Sequence, residues 1–384
     1  MTTWGGLKNF LDPAMLNPPP PFADLVGAMT ASPEMLELLR TMMFGTLRRT
    51  LDNTFESDYV KFALLPMAMD GSQFGPAAAN LGMFVLHICM TPSWRVAKGG
   101  IGSVSQAMAK AFEHYGGTIK TGATVESILV KDGKAIGVKL STGEEITAEV
   151  VISNVDIQRT LLKMVGEEHL EEGFVQAVKK IACDAAGMTL NLALSELPDF
   201  NFPKERLTGF FGVCPSYDYA EKAFYEFTLG EIPEKPLLFG YVPSYFDDTV
   251  APPGKHVLSM FVYPMPYDLR EGNWDDRREE AYDRGVDALA EYAPNVKRSL
   301  ISRYAWTPLD LEREIAMPRG DPFLGLQGWD QMLAFRPLIG WTDYRTPIAN
   351  LYLSSSSTHP GGAVSGAPGH NAAQVVLADW KEGK

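Results

Sequence analysis

The residues best suited to chemistry lie near the end of the chain, in the run Thr358-His359-Pro360-Gly361-Gly362-Ala363-Val364-Ser365-Gly366-Ala367-Pro368-Gly369-His370-Asn371. Paired glycines let backbone approach a flat ring that side chains would hold away. Gly366 to Gly369, with Pro368 in the first turn, open a helix predicted to run to about Trp380. A helix N-terminus offers free N–H groups and roughly half a positive charge to an anion. The plainer alternative is a loop and helix that only pack. An apolar strand, Asn350 to Leu353, leads into this run, and Ala372 and Ala373 allow close helix packing. His359 is the candidate catalytic residue: it could orient a substrate or move a proton, with a structural hydrogen bond as the alternative. Arg345 could close a salt bridge at a domain junction or hold an anion.

Other chemistries find less support. The six histidines are scattered, so no metal site is predicted. Ser354 to Ser357 lacks a Gly-x-Ser-x-Gly elbow and reads as a flexible polar loop, not a hydrolase nucleophile. Cys89, Cys183 and Cys214 are far apart and form no CxxC, which predicts reduced, buried thiols. Gly100-Ile101-Gly102-Ser103-Val104-Ser105 approaches a dinucleotide fingerprint but ends on Ser105, and Trp94 to Gly99 is no buried strand. It reads as a glycine turn opening a structural helix.

These groups need elements to position them. Ser32 and Pro33 predict an N-cap and first helical residue. Met35, Leu39, Met43, Leu47 and Leu51 follow at helical spacing, predicting one amphipathic helix. Its stripe is core or, given its methionines, a wall facing substrate or partner. Ile101 to Tyr115 is a second helix, stopped by Gly116-Gly117. The period then changes to two over Thr124–Val130, Ala135–Leu140 and Ile146–Ile152, with hairpin turn chemistry between them and a buried strand expected at Val150–Asn154. Asp156–Val165 and Asp275–Tyr292 read as helices, with aromatic strands at Leu237–Val242 and Val257–Tyr263. The class is α/β, or α+β mixed, with interwoven domains.

Composition bounds the partners. The 384 residues are 46% hydrophobic and 21% charged, enough for two or three domains with a sizeable core. Seventeen Met, 20 Phe, 14 Tyr and 7 Trp suit a large second layer or an apolar cavity. A net charge of −13 argues against nucleic acid, but not against cofactor phosphates held by backbone N–H groups. Met1 to Gly6 does not read as a signal peptide, and Leu81–Met90 is too short to cross a bilayer, so no transmembrane segment is expected. The expected location is cytoplasmic, with peripheral membrane association left open.

Several segments together carry a family likeness: Phe22 to Gly75, Gly99-Gly100-Ile101-Gly102-Ser103-Val104, Gly116 to Val125, Val151 to Asp156, Thr307 to Glu312, Tyr344 to Ile348, and the closing Thr358 to Ala373. Through them the chain resembles the phytoene desaturase-related FAD-dependent oxidoreductases, which include retinol saturase-like enzymes. The resemblance implies an FAD/NAD(P)-binding fold of the GR2, amine-oxidase-like type with an interwoven substrate domain. Residues 93–156 (helix and β-meander) and 346–384 (strand, glycine loop and helix) would form the FAD domain. Residues 1–92 (helical) and 157–345 (mixed sheet) would form the substrate domain, with an apolar cavity facing the Thr358–Val364 loop. The implied cofactor-binding residues are Gly99, Gly100, Val125 (backbone contacts to the adenine), His359, Pro360, Gly361, Gly362, Ala363, Val364, Gly366 and Asn371.

The resemblance also implies dehydrogenase or desaturase chemistry, with hydride passing from an apolar or amphipathic small molecule to FAD. Two positions depart from the pattern: Ala363 stands where a third glycine is usual, and Met317 to Phe323 replaces a Gly-Gly loop. Relatives place an ADP-binding βαβ unit ahead of the matched segments. The fold is therefore expected to be incomplete in this sequence. The chain alone would hold FAD weakly, and would need a protein partner bearing that unit or form homo-oligomers. The alternatives are a non-catalytic scaffold subunit that has lost flavin, or a truncated reading frame of a full-length flavoenzyme.

Overall fold

A computed structural model describes residues 15–79, 96–184, 187–203, 209–362 and 365–383. Met1 to Gly6, Leu81–Met90 with His87 and Cys89, Trp94 and Arg95, and Ala363 and Val364 lie outside the described residues. The chain opens with helices α1 (Phe22–Met29), α2 (Pro33–Phe44), α3 (Leu47–Thr54) and α4 (Asp58–Ala68). Ser32 caps α2 as expected, accepting from the Met35 N–H at 3.2 Å. The stripe predicted as one helix is two. Gly45 ends α2, and the Thr46 side chain caps α3. A glycine followed by a good N-cap residue makes interruption cheaper than continuation. Leu47 and Leu51 are fully buried with Leu65, Met69 and Phe224. The side chains of Leu39 and Met43 lie outside the described residues.

Helix α5 (Gly102–His114) follows the Gly99-Gly100 turn and buries none of its residues. Strands β1 (Val125–Lys131), β2 (Lys134–Leu140) and β3 (Glu145–Thr147) form an antiparallel meander. The run Ile146–Ile152, expected as one strand, divides: its first half pairs with β2, while β4 (Val151–Ser153) turns away to a partner from the far end of the chain. Ile152 is 47% exposed, so β4 is buried on one face only. The expected helix Asp156–Val165 is a π-helical stretch, Arg159–Gly166, followed by α6 (Glu172–Lys179).

Next come β5 (Met188–Leu194), β6 (Phe210–Val213), α7 (Tyr217–Thr228), β7 (Leu237–Tyr241), β8 (His256–Tyr263), α8 (Trp274–Ala290), β9 (Leu300–Trp306) and α9 (Pro308–Ile315). The five strands form one sheet, in the order β6-β7-β8-β5-β9. Every pairing is antiparallel, which corrects the mixed sheet expected for this region. The reason is visible in β5: Met188, Leu190, Leu192 and Leu194 are buried, while Thr189 and Asn191 point the other way. A sheet with one face in the core and the other toward polar space can be antiparallel throughout. Helix α8 covers the apolar face closely; a Cβ at Gly285 would stand 3.1 Å from Leu190.

The chain then returns to the meander. Strand β10 (Leu351–Leu353) lies parallel to β4, with Leu351 beside Val151 and Leu353 beside Ser153. Val151, Leu351 and Leu353 share a core with Ile157, Leu161 and Val178. Helix α10 (Ala367–Glu382) closes the chain. Of the two roles open to Arg345, the ion pair is formed: it donates to both oxygens of buried Asp379 at 2.8 and 2.7 Å, and also to Asp343. The Tyr352 hydroxyl joins Asp379 at 2.8 Å, so α10 is tied to β10.

Candidate functional site

The loop after β10 is built from buried polar groups, which corrects the flexible-loop expectation for Ser354 to Ser357. Ser355, Ser357 and Thr358 are all buried. Ser354 donates to the Ser153 carbonyl at 2.8 Å. Ser357 Oγ accepts from the Ile157 N–H at 3.2 Å and donates to the Leu324 carbonyl at 3.1 Å. Four serines look like solvent-facing chain only until the β4–β10 junction buries Ser355 and Ser357. His359 is buried, and its carbonyl accepts from the Tyr344 hydroxyl at 2.8 Å. Pro360 continues the loop to Gly361, whose φ of +103° favours glycine. An added Cβ at Gly361 would meet Gln327 at 3.0 Å, and one at Gly362 would meet the Phe323 ring at 2.8 Å.

Gly366, at φ +69°, is the N-cap of α10. A Cβ at Gly366 or Gly369 would meet nothing within 4 Å among the described residues, so the first turn of this helix presents bare backbone. Asn371 is fully buried; its Nδ2 donates to the Tyr344 hydroxyl at 2.9 Å and to the carbonyls of Met15 and Asn17 at 3.2 Å. Its Oδ1 has no partner among the described residues. Tyr344 thus links His359 to Asn371 across the loop. Gly99 and Gly100, at φ +83° and +86°, are held elsewhere: the Gly99 N–H donates to Asp247, beyond β7. Val125 begins β1 opposite Leu140. Among the described residues, no hydrogen bond joins Gly99, Gly100 or Val125 to the glycine loop.

Sequence reasoning missed the groups that hold this loop from below. Arg336 is buried, and its guanidinium donates to the carbonyls of Ser356, Phe323, Leu326 and Gln331 at 2.7 to 3.1 Å. Burial pulls its pKa down to about 10, opposed by the charge of Asp321. Gln327, beside Gly361, is 2% exposed, and neither its Nε2 nor its Oε1 has a partner among the described residues. Nothing local in the sequence marks either residue.

A cavity of about 400 Å³ lies on the polar face of the five-stranded sheet. Thr189, Asn191, Phe261, Tyr263 and Trp306 line it, with Asp70 at one wall. None of the described residues of the Thr358–Val364 loop lines it. The Phe323 ring stands between them: added Cβ atoms at Gly71, in the cavity wall, and at Gly362, in the loop, would each come within 2.8 Å of it. Burial pushes the Asp70 carboxyl up to about 7, against the Gly71 N–H, which lowers it. A raised carboxyl favours the protonated fold, so its stabilising contribution is complete below about 3.8 and is lost as pH rises through about 7. Asp70→Asn should therefore reduce the fall in stability between pH 5 and pH 8 by about 1–2 kcal/mol, after allowance for water in the cavity. Denaturant titrations at the two pH values check this; equal slopes in both chains would refute it.

The profile of the family described as flavin containing amine oxidoreductase matches residues 48–377. The chain belongs to this family. A flavin containing amine oxidoreductase of this type has an α/β, GR2 amine-oxidase-like FAD-binding fold. Among curated relatives, pyridine nucleotide-disulfide oxidoreductase domain-containing protein 2 of Mus musculus is 35% identical, over 88% of this chain and 62% of its own length. The chain thus spans about three fifths of that relative. The lycopene-forming phytoene desaturase of Pseudescherichia vulneris is 25% identical, over 90% of this chain and 68% of its own. An oxidoreductase structure from Methanosarcina mazei superposes with a TM-score of 0.60, covering 91% of this chain and 72% of that one at 17% identity, a likeness of fold. No helix among the described residues is long and apolar enough to cross a membrane.

Proposed function

We propose that these residues form the substrate domain and the ring end of the flavin site in an FAD-dependent dehydrogenase or desaturase acting on an apolar or amphipathic small molecule. The observation that carries this reading is the single Phe323 ring between cavity and glycine loop. Family membership supports the flavin, and the likeness to phytoene desaturase supports the desaturase-related chemistry. The bare first turn of α10, the Asn371 Oδ1 and the Gln327 carboxamide, the last two without partners among the described residues, fit a flat, polar-edged ring. A bound flavin would supply the acceptor for a hydride. Gly366 and Gly369 would admit the ring to bare backbone, and the N-terminus of α10 would favour negative charge beside it. Aromatic walls would hold the apolar part of the substrate and exclude water, with Asp70 receiving a polar end. His359 is assigned to fixing the loop through Tyr344, not to proton transfer.

Helix α5 supports a partner surface. Ile101, Val104, Met108 and Phe112 recur on one side of it and are exposed, as are Leu377 and Trp380 on α10. Exposed apolar side chains recurring along one side of a helix suit an interface. We assign it to the nucleotide-binding βαβ unit that the resemblance implies, whether on the same polypeptide or another. The test is to express these 384 residues alone and together with such a unit, recording flavin absorbance and complex mass. Substoichiometric flavin alone and near-stoichiometric flavin in the complex are expected. Full flavin on the lone chain would reject the partner surface; none in either sample would favour the scaffold reading.

A further inference from the structure

We infer that Gln327 is a cofactor-binding residue, its carboxamide reserved for the polar edge of the flavin ring; this rests on the flavin site proposed above. Three observations converge on it. Gln327 is 2% exposed, yet both polar atoms of its side chain lack a protein partner among the described residues. A buried, unpaired amide is costly, and native folds rarely leave one without a reason. The unpaired group also stands against Gly361, where a Cβ would lie 3.0 Å from its Nε2 and 3.1 Å from its Oε1. Gly361 has a φ of +103°, so the loop adopts a conformation unfavourable to other residues where the amide lies. Finally, the surrounding backbone is fixed independently of the amide. Arg336 takes the carbonyls of Leu326 and Gln331 on either side of Gln327, and ties them to Ser356 in the glycine loop. Gln327 is therefore positioned by its neighbours without contributing a side-chain hydrogen bond of its own.

The chemistry of the group matches. A carboxamide presents an acceptor and a donor side by side. The pyrimidine edge of a flavin carries an N–H flanked by carbonyls, so one such amide can both donate and accept there. A purely structural glutamine would be bonded to the fold it supports, and a water-filling role would leave the cofactor indifferent to the side chain.

The opposed signs of these effects give the test. Gln327→Leu, of similar volume but without polar atoms, is expected to leave the flavin-free chain as stable as wild type or more so. In the complex with the βαβ unit it should weaken FAD binding roughly tenfold, the scale of losing a directed hydrogen-bond pair. Gln327→Glu should shift the two-electron midpoint potential of the bound flavin to more negative values, because added negative charge beside the ring disfavours the reduced anion. FAD affinity by fluorescence titration, potential by dye equilibration, and melting of the flavin-free chain read the three effects. Unchanged affinity and potential in both variants would overturn the inference, as would a destabilised flavin-free Gln327→Leu chain. If the wild-type complex binds no flavin, the flavoprotein reading falls and this inference with it. Flavin bound equally well by wild type and both variants sinks this inference alone.

Discussion

Replacing Arg336 with methionine is expected to destabilise the chain by about 3–5 kcal/mol, the range for removing the centre of a buried charged network. The guanidinium ties two loops together: it reaches Phe323, Leu326 and Gln331 in one and Ser356 in the other, all through carbonyl oxygens, and Ser357 adds one further bond, to Leu324. Methionine fills much of the volume but leaves those carbonyls buried without donors. Arg336→Lys should recover little, because a compact ammonium cannot reach four diverging acceptors as the planar fork does. Urea denaturation of the three chains measures the effect. A shift of Arg336→Met within about 0.5 kcal/mol of wild type, the range of ordinary surface substitutions, would show that the loops are held by other means.

A second large effect is expected from one methyl group. Gly362→Ala places a Cβ 2.8 Å from the Phe323 ring, whose opposite edge faces Gly71, where an added Cβ would come equally close. The backbone at Gly362 is not in the left-handed region, so the cost is steric, about 1–3 kcal/mol. Gly71→Ala should cost more, since its φ of +74° adds backbone strain to the same collision. Phe323→Leu frees space on both sides. It should recover most of the loss in Gly362→Ala and only part of it in Gly71→Ala. A double-mutant cycle on thermal unfolding reads this directly. A coupling between positions 362 and 323 below about 0.5 kcal/mol would mean the ring does not bridge cavity and loop.

What could be read from the sequence was what local chemistry writes there. The Ser32-Pro33 start of α2, the α5 turn at Gly99-Gly100 and the helix opened at Gly366 each depend on residues a turn apart, and each is present. Both strands and, through the resemblance, their shared domain were expected, but the parallel β4–β10 pairing was not read, because three-residue strands 200 positions apart carry no sign of partner or register. The serines after β10 were misjudged for the same reason, since their burial follows from that pairing. Strand β5 was legible but went unread: Met188-Thr189-Leu190-Asn191-Leu192-Ala193-Leu194 alternates cleanly, and its burial alternates with it. Arg336 and Gln327 were beyond sequence reasoning, because carbonyls leave no trace in residue types and an unpaired amide resembles any surface glutamine.

The parallel pairing of β4 with β10 also sets the order in which the molecule can be made. By the time Trp306 has left the ribosome, all five strands of the antiparallel sheet and helix α8 exist, and that unit can close. Strand β4, made long before, has no partner until Leu351 to Leu353 emerge. Throughout that interval Val151, Ile157 and Leu161 lack the aliphatic side chains of β10 that complete their core. The nascent chain thus carries a finished sheet beside an unfinished, sticky half-site, the kind of surface that engages chaperones. Closing so long a loop comes late and raises the contact order, so the glycine loop and α10 assemble last. The flavin site proposed above is therefore complete only once β10 has docked on β4.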